Sequence, residues 1–134
     1  MNQVLQPEGW AKPRGYANGI AARGRQVFIA GQIGWDAQCQ FHTDSMAGQL
    51  RQALDNIVAV LAEAGGRPEH LVRLTWYITS RHEYNAELRD IGAAYRDVLG
   101  RNFPVMAVVQ VVALIEPRAK VEIEATAVIP DETG

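Results

Sequence analysis

Val105 to Ile115 is almost continuously apolar, with Gln110 its only polar member. Rich in β-branched residues, it predicts a strand over 105–114. A strand that is apolar on both sides is covered on both faces. The chain has 134 residues, the usual size of one domain, so residues 1–134 are read as a single unit. Its two predicted helices can cover one face of a sheet. The economical cover for the other is a second copy of the chain, so the pattern predicts a homo-oligomer. The apolar run is too short to cross a bilayer, and a membrane is not an expected partner.

The other elements follow from period and punctuation. Residues 1–14, with Pro7, Gly9 and Pro13, read as an irregular arm, and residues 130–134 as a tail. Tyr16 to Ala22 and Gln26 to Ile33 read as a hairpin turning at Gly24. Met46, Leu50, Leu54, Ile57 and Leu61 recur at helical spacing. They predict a helix over 44–64, capped by Thr43, Asp44 or Ser45 and stopped by Gly65-Gly66. Leu71 to Ile78 alternates as a strand. Ser80 with Glu83 matches a capping box. The stripe Tyr84, Leu88, Ile91, Tyr95 and Val98 continues that helix to Gly100. Gly92 inside it costs about 1 kcal/mol relative to alanine, which suggests close packing of a backbone or ligand there. Lys120 to Ile129 is the last strand, after a turn with Pro117. The order ββαβαββ is an α+β fold with both helices on one side of the sheet.

Composition narrows the partners. Apolar residues at 48% and a net charge of -2 exclude wholesale disorder. Thirteen basic against 15 acidic residues give no global electrostatic case for nucleic acid. Cys39 is the single cysteine, so no intrachain disulfide forms, which fits a reducing compartment. Residues 1–10 lack a basic segment followed by an apolar one, and a cytoplasmic location is expected.

Few residues stand out for chemistry. His42, His70 and His82 have no metal-ligand spacing, and Gly31-Gln32-Ile33-Gly34 is not a phosphate loop. Gly31 and Gly34 mark a place where backbone approaches a ligand or another chain. Glu122 and Glu124 share one strand face with Lys120. They are either surface carboxylates or, in a pocket or seam, a general acid or base. Tyr16 is either a rim donor or strand packing. Trp10, Trp35 and Trp76 are candidates for an aromatic pocket, with Trp76 read as core and Trp35 as a site edge.

Taken in order, the motifs resemble one family. Gly15 to Ile20, Ala30 to Gly34, Gln49 through Asn56-Ile57 with Leu61 and Ala64-Gly65, Phe103-Pro104, Val121 to Ala125 and Ala127-Val128 are similar to the RidA/YjgF reactive-intermediate deaminases. The resemblance runs from about Tyr16 to Ile129. It implies a chorismate-mutase-like α+β fold and a homotrimer with a central β-barrel and three clefts between subunits. It implies hydrolysis of imines or enamines such as 2-aminoacrylate, with no cofactor and no metal. Carried over residue by residue, it implies Tyr16 at the rim, Gly31 with its amide facing the ligand carboxylate, and Glu122 holding the attacking water.

One position departs. Family deaminases carry a carboxylate-binding arginine two residues after the proline, where Pro104-Val105-Met106 puts Met106. Ala107 and Val108 replace the polar residues that usually follow, and Gly92 falls where asparagine is frequent. A charge-assisted arginine contact contributes roughly 1.5–3 kcal/mol, and methionine has no donor. Small carboxylates should bind about one to two decades more weakly. Arg14 and Arg118 are candidate substitutes, and a cleft walled by Met106, Ala107 and Val108 favours an apolar ligand. Two readings follow: an imine or enamine deaminase with a changed substrate, or a trimeric small-metabolite-binding protein using the same intersubunit cleft without turnover. Ribonuclease activity, also attached to the family name, has no support in the charge.

Overall fold

Helix α1 spans Met46–Glu63, and its buried face supplies much of the core. Its start is set by Ser45, whose hydroxyl accepts from the Gly48 amide at 3.0 Å. Its end is set by Gly65 at φ 79°, with the Gly66 amide bonding back to Leu61. Met46, Leu50, Leu54, Ile57 and Leu61, the stripe read from spacing, are all fully buried. This computed structural model describes residues 2–131, so the last three residues of the expected tail lie outside the described residues.

The sheet under α1 has the order β3-β6-β4-β5, with β3 Arg25–Ile33, β4 Leu71–Ile78, β5 Val105–Gln110 and β6 Val121–Ile129. β6 is antiparallel to both β3 and β4, while β4 and β5 run parallel. A parallel pair needs a long crossover. Helices α2 Arg81–Ala86 and α3 Leu88–Leu99 supply it. Both helix layers lie on one face, as expected. Along β4 and β6 the residues toward the helices, including Leu74, Trp76, Ile78, Val121, Ile123, Ala125 and Ala127, are buried. The opposite face carries Arg73, Thr75, Tyr77, Glu122, Glu124 and Thr126, none of them buried. Among the described residues no helix is long and apolar enough to cross a membrane.

Four expectations are corrected. The arm is not wholly irregular: β1 Gln3–Leu5 pairs antiparallel with β2 Gly19–Ala21 as a separate two-stranded sheet. The hairpin of 16–22 with 26–33 does not form, because β3 takes β6 as its partner. At Gly24, φ is 147° and an added Cβ would lie 2.8 Å from the Ile129 carbonyl carbon, so this corner packs against the end of β6. The second helix breaks at Glu87, and Glu83, instead of closing a capping box, is ion-paired with Lys120. The strand after Pro104 ends at Gln110, short of the expected 114, and Val112 and Ile115 stand fully exposed in the loop before β6. Within one chain, then, no residue of β5 is buried.

Gln49 is the one fully buried polar residue among the described ones. Its amide nitrogen donates to the Thr43 and Arg118 carbonyls, and its oxygen accepts from the Lys120 amide at 2.8 Å. It thereby fixes two loops that would otherwise leave backbone groups unpaired. Gly34 lies hard against it, since an added Cβ would sit 2.6 Å from the Gln49 Cα. The close approach expected at Gly34 is therefore to α1.

Candidate functional site

A cavity of about 570 Å3 opens where α3 leaves β4 and β5. The alternation of β5 sends Met106 and Val108 into it, opposite Leu74 and Trp76 of β4. Tyr16 reaches its rim because the next residue, Ala17, bridges to Val105 and donates its amide to the Pro104 carbonyl at 3.1 Å. Helix α3 contributes Ile91, Gly92, Tyr95 and Arg96. Ile91, Tyr95 and Trp76 form a buried floor.

The floor is aromatic. Tyr95 lies 6.1 Å from Trp76 and parallel to Phe103 at 6.0 Å, centroid to centroid. The Tyr95 hydroxyl donates to the Asn102 carbonyl, and burial pushes its ionisation well above the ordinary phenol range. Burial also raises Tyr84 at the wall, so both phenols stay neutral near pH 7 and neither is a base. The Trp76 indole N–H is buried without an acceptor among the described residues. Such a group typically costs about 1–3 kcal/mol. Arg14 and Arg96 are the charged residues of the lining, and no carboxylate is present there.

Glu122 and Gly31 lie elsewhere, on the open face of the sheet. Gly31 has no Cβ because the Glu122 side chain occupies its place: an added Cβ would be 2.7 Å from Cδ and 2.9 Å from Cγ. Beside them the Tyr77 hydroxyl donates to Glu124 at 2.7 Å. That bond, more than burial or the neighbouring charge, raises the tyrosine above its ordinary value. Glu122 lines neither hollow that holds Tyr16 and Met106. The six residues singled out from sequence thus fall into two regions: Tyr16, Gly92 and Met106 around the cavity, with Ala107 in an adjoining smaller hollow that shares Tyr16 and Met106, and Gly31 with Glu122 on the open face.

Several expectations about the site change. Ala107 does not wall the cavity, because period two turns it away from Met106 and Val108. Lys120, read as sharing a strand face with Glu122 and Glu124, has its ammonium held by Glu83. Arg118 pairs with Asp44 at 2.8 Å and lies over Phe41, away from the cavity, whereas Arg14 lines it. Of the three tryptophans only Trp76 lines the cavity; Trp35 packs on Phe41 and Trp10 is exposed. No backbone packs on Gly92, whose added Cβ would meet only Arg96 Nη1, at 3.5 Å. Arg96 itself went unnoticed in the sequence, although its place one turn after Gly92 on the striped helix was the available signal. Among the described residues no cluster of metal-ligating side chains occurs.

A family model described as endoribonuclease L-PSP matches residues 11–129. The chain is 31% identical to the human 2-iminobutanoate/2-iminopropanoate deaminase over 78% of its own length and 73% of that protein. It is 33% identical to a RutC family protein of Pyrococcus horikoshii over 95% of this chain and 98% of that one. A Rid family protein of Yersinia pestis superposes with a TM-score of 0.84 at 30% identity, covering 96% of this chain and 98% of the other.

Proposed function

Because the chain belongs to the RidA/YjgF family, we propose that it is a deaminase hydrolysing the C=N bond of an imine or enamine tautomer. Its site forms between copies of a homotrimer. Glu122 takes a proton from water as the water oxygen bonds to the imine carbon. It returns that proton to nitrogen, giving a carbinolamine; it then takes the hydroxyl proton and passes it to nitrogen as the C–N bond breaks, releasing ammonia and leaving a carbonyl. The Gly31 amide binds a substrate oxygen, and Tyr16 closes the rim.

The observation that carries this reading is the pairing of Glu122 with Gly31. The side chain fills the space a Cβ would take, so the carboxylate lies against the exposed backbone at Gly31. Its separation from the Tyr16–Met106 cavity supports assembly of the site from two chains. So does the open sheet face, where Phe28 and Val109 remain exposed. Met106, without a donor, favours a substrate different from a small 2-imino acid. It also favours the second reading, a trimer that binds a metabolite without turning it over. The net charge of -2 gives no support to ribonuclease activity.

An amino-acid oxidase can supply imines from small and aromatic amino acids, with semicarbazide trapping what remains. Wild type is expected to accelerate imine loss, and Glu122→Gln to reduce the rate by about 10²-fold or more, the usual contribution of a general base. Equal rates for wild type, Glu122→Gln and buffer would overturn the deaminase reading.

A further inference from the structure

The cavity beneath α3 joins an apolar, aromatic floor to a cationic mouth. Trp76, Ile91 and Tyr95 are buried at its base, and Arg14 and Arg96 are exposed at its edge without an ion-pair partner among the described residues. Its volume, about 570 Å3, falls in the range of roughly 300–1,000 Å3 that holds ligands well beyond a three- or four-carbon acid. The placement of Arg96 has a local cause. Helical side chains lean toward the N-terminus, so a residue at i+4 lies over residue i. Gly92 is that residue, and Arg96 Nη1 lies 3.5 Å from where its Cβ would be, at ordinary contact distance. The unpaired indole N–H of Trp76 is a second, independent sign of an unfilled polar need at the floor.

We propose that this cavity binds an aromatic ligand bearing an anionic group, with the ring on the Trp76–Tyr95–Phe103 floor and the anion held by Arg96, seated over Gly92. The inference rests on reading the cavity as half of the proposed site, and it names the substrate class: imines whose side chain is aryl and whose head is a carboxylate. Arg96 thereby supplies, from α3, the charge that Met106 cannot. No acid lines the cavity to compete for the anion, and an arginine beside π faces suits a flat anion.

Binding without turnover tests it. Phenylpropionate, propionate and phenylpropanol are titrated calorimetrically into the full chain. Phenylpropionate should bind at least about tenfold more tightly than propionate, which lacks the ring, and than phenylpropanol, which lacks the charge. Arg96→Met should weaken phenylpropionate about tenfold or more and leave phenylpropanol within about twofold, with Arg96→Lys restoring part of the loss. Equal affinity for the three probes, or an unchanged affinity in Arg96→Met, overturns the proposal. So does a fall in particle mass by light scattering for Arg96→Met, which would make the arginine a contact between copies. If this binding profile holds while imine hydrolysis fails, the aryl-anion site stands without the deaminase. If hydrolysis succeeds with no preference for ring or charge, the deaminase stands and this proposal falls.

Discussion

Helices α1 and α3 lie side by side on the same sheet and do opposite things. α1 seals β3 and β6, and its stripe from Met46 to Leu61 has no exposed surface. α3 packs on α1 and reaches β4 through Tyr95 on Trp76, yet leaves a cavity of about 570 Å3 over β5. Their residues explain the difference. α1 places Met, Leu, Ile and Ala at its inward positions, with Gln49 the one polar exception, whereas α3 has Gly92 and Arg96 where a second apolar row would be needed to close the space. The same fold therefore keeps stability in one helix and an accessible site beside the other.

The comparison breaks most readily at α1. Leu54→Ala should cost about 2–5 kcal/mol, because the site is fully buried and cannot collapse. Urea unfolding measures it, and a loss under 1 kcal/mol would show that α1 is not the sealed region. At α3 the sign should reverse. Gly92→Ala meets only the Arg96 guanidinium, in ordinary contact, so better helix propensity should raise stability by about 0.4–1 kcal/mol. A lower urea midpoint would mean that the space over Gly92 is already filled by structure.

The smallest effect lies in the loop before α1. Asp36 accepts from the Gln38 and Gln40 amides at 2.9 and 3.0 Å and from His42 at 2.6 Å. Hydrogen bonding, chiefly from Gln40 and then His42, holds its carboxyl below the ordinary value of 3.8. The unfolded chain therefore takes up this proton more readily than the folded one. The stabilisation is complete above the ordinary carboxylate value and lost as pH falls through the lower folded value. Asp36→Asn should remove that component, making the urea midpoint fall less between about pH 6 and about pH 3 than in wild type. Identical slopes would mean the loop contributes nothing.

Much of this was legible in the sequence because it is local. The α1 stripe, its Ser45 cap and its glycine stop are all present, and β4 occupies Leu71–Ile78 as its alternation requires. The second helix was readable in extent but not in its break at Glu87, where no proline or glycine marks the interruption. The partner of β3 was misread because a turn at Gly24 looks the same whether the strands it joins pair with each other or with distant ones. In the site, Glu122 and Gly31 were legible through the family resemblance, whereas Arg96 carried only the faint signal of lying one turn after Gly92.

The sequence by itself determined the extent and the apolar face of α1 and β4, because caps, glycine stops and side-chain period act between residues a few positions apart. Only the tertiary structure decided that β3 pairs with β6, that Gln49 ties loops some seventy residues apart, and that Arg96 and Trp76 meet at one cavity while Glu122 stays on the other side of the sheet. Those outcomes depend on contacts between distant segments. There the choice of partner is settled by what else competes for the same surface, and no window of sequence contains that competition.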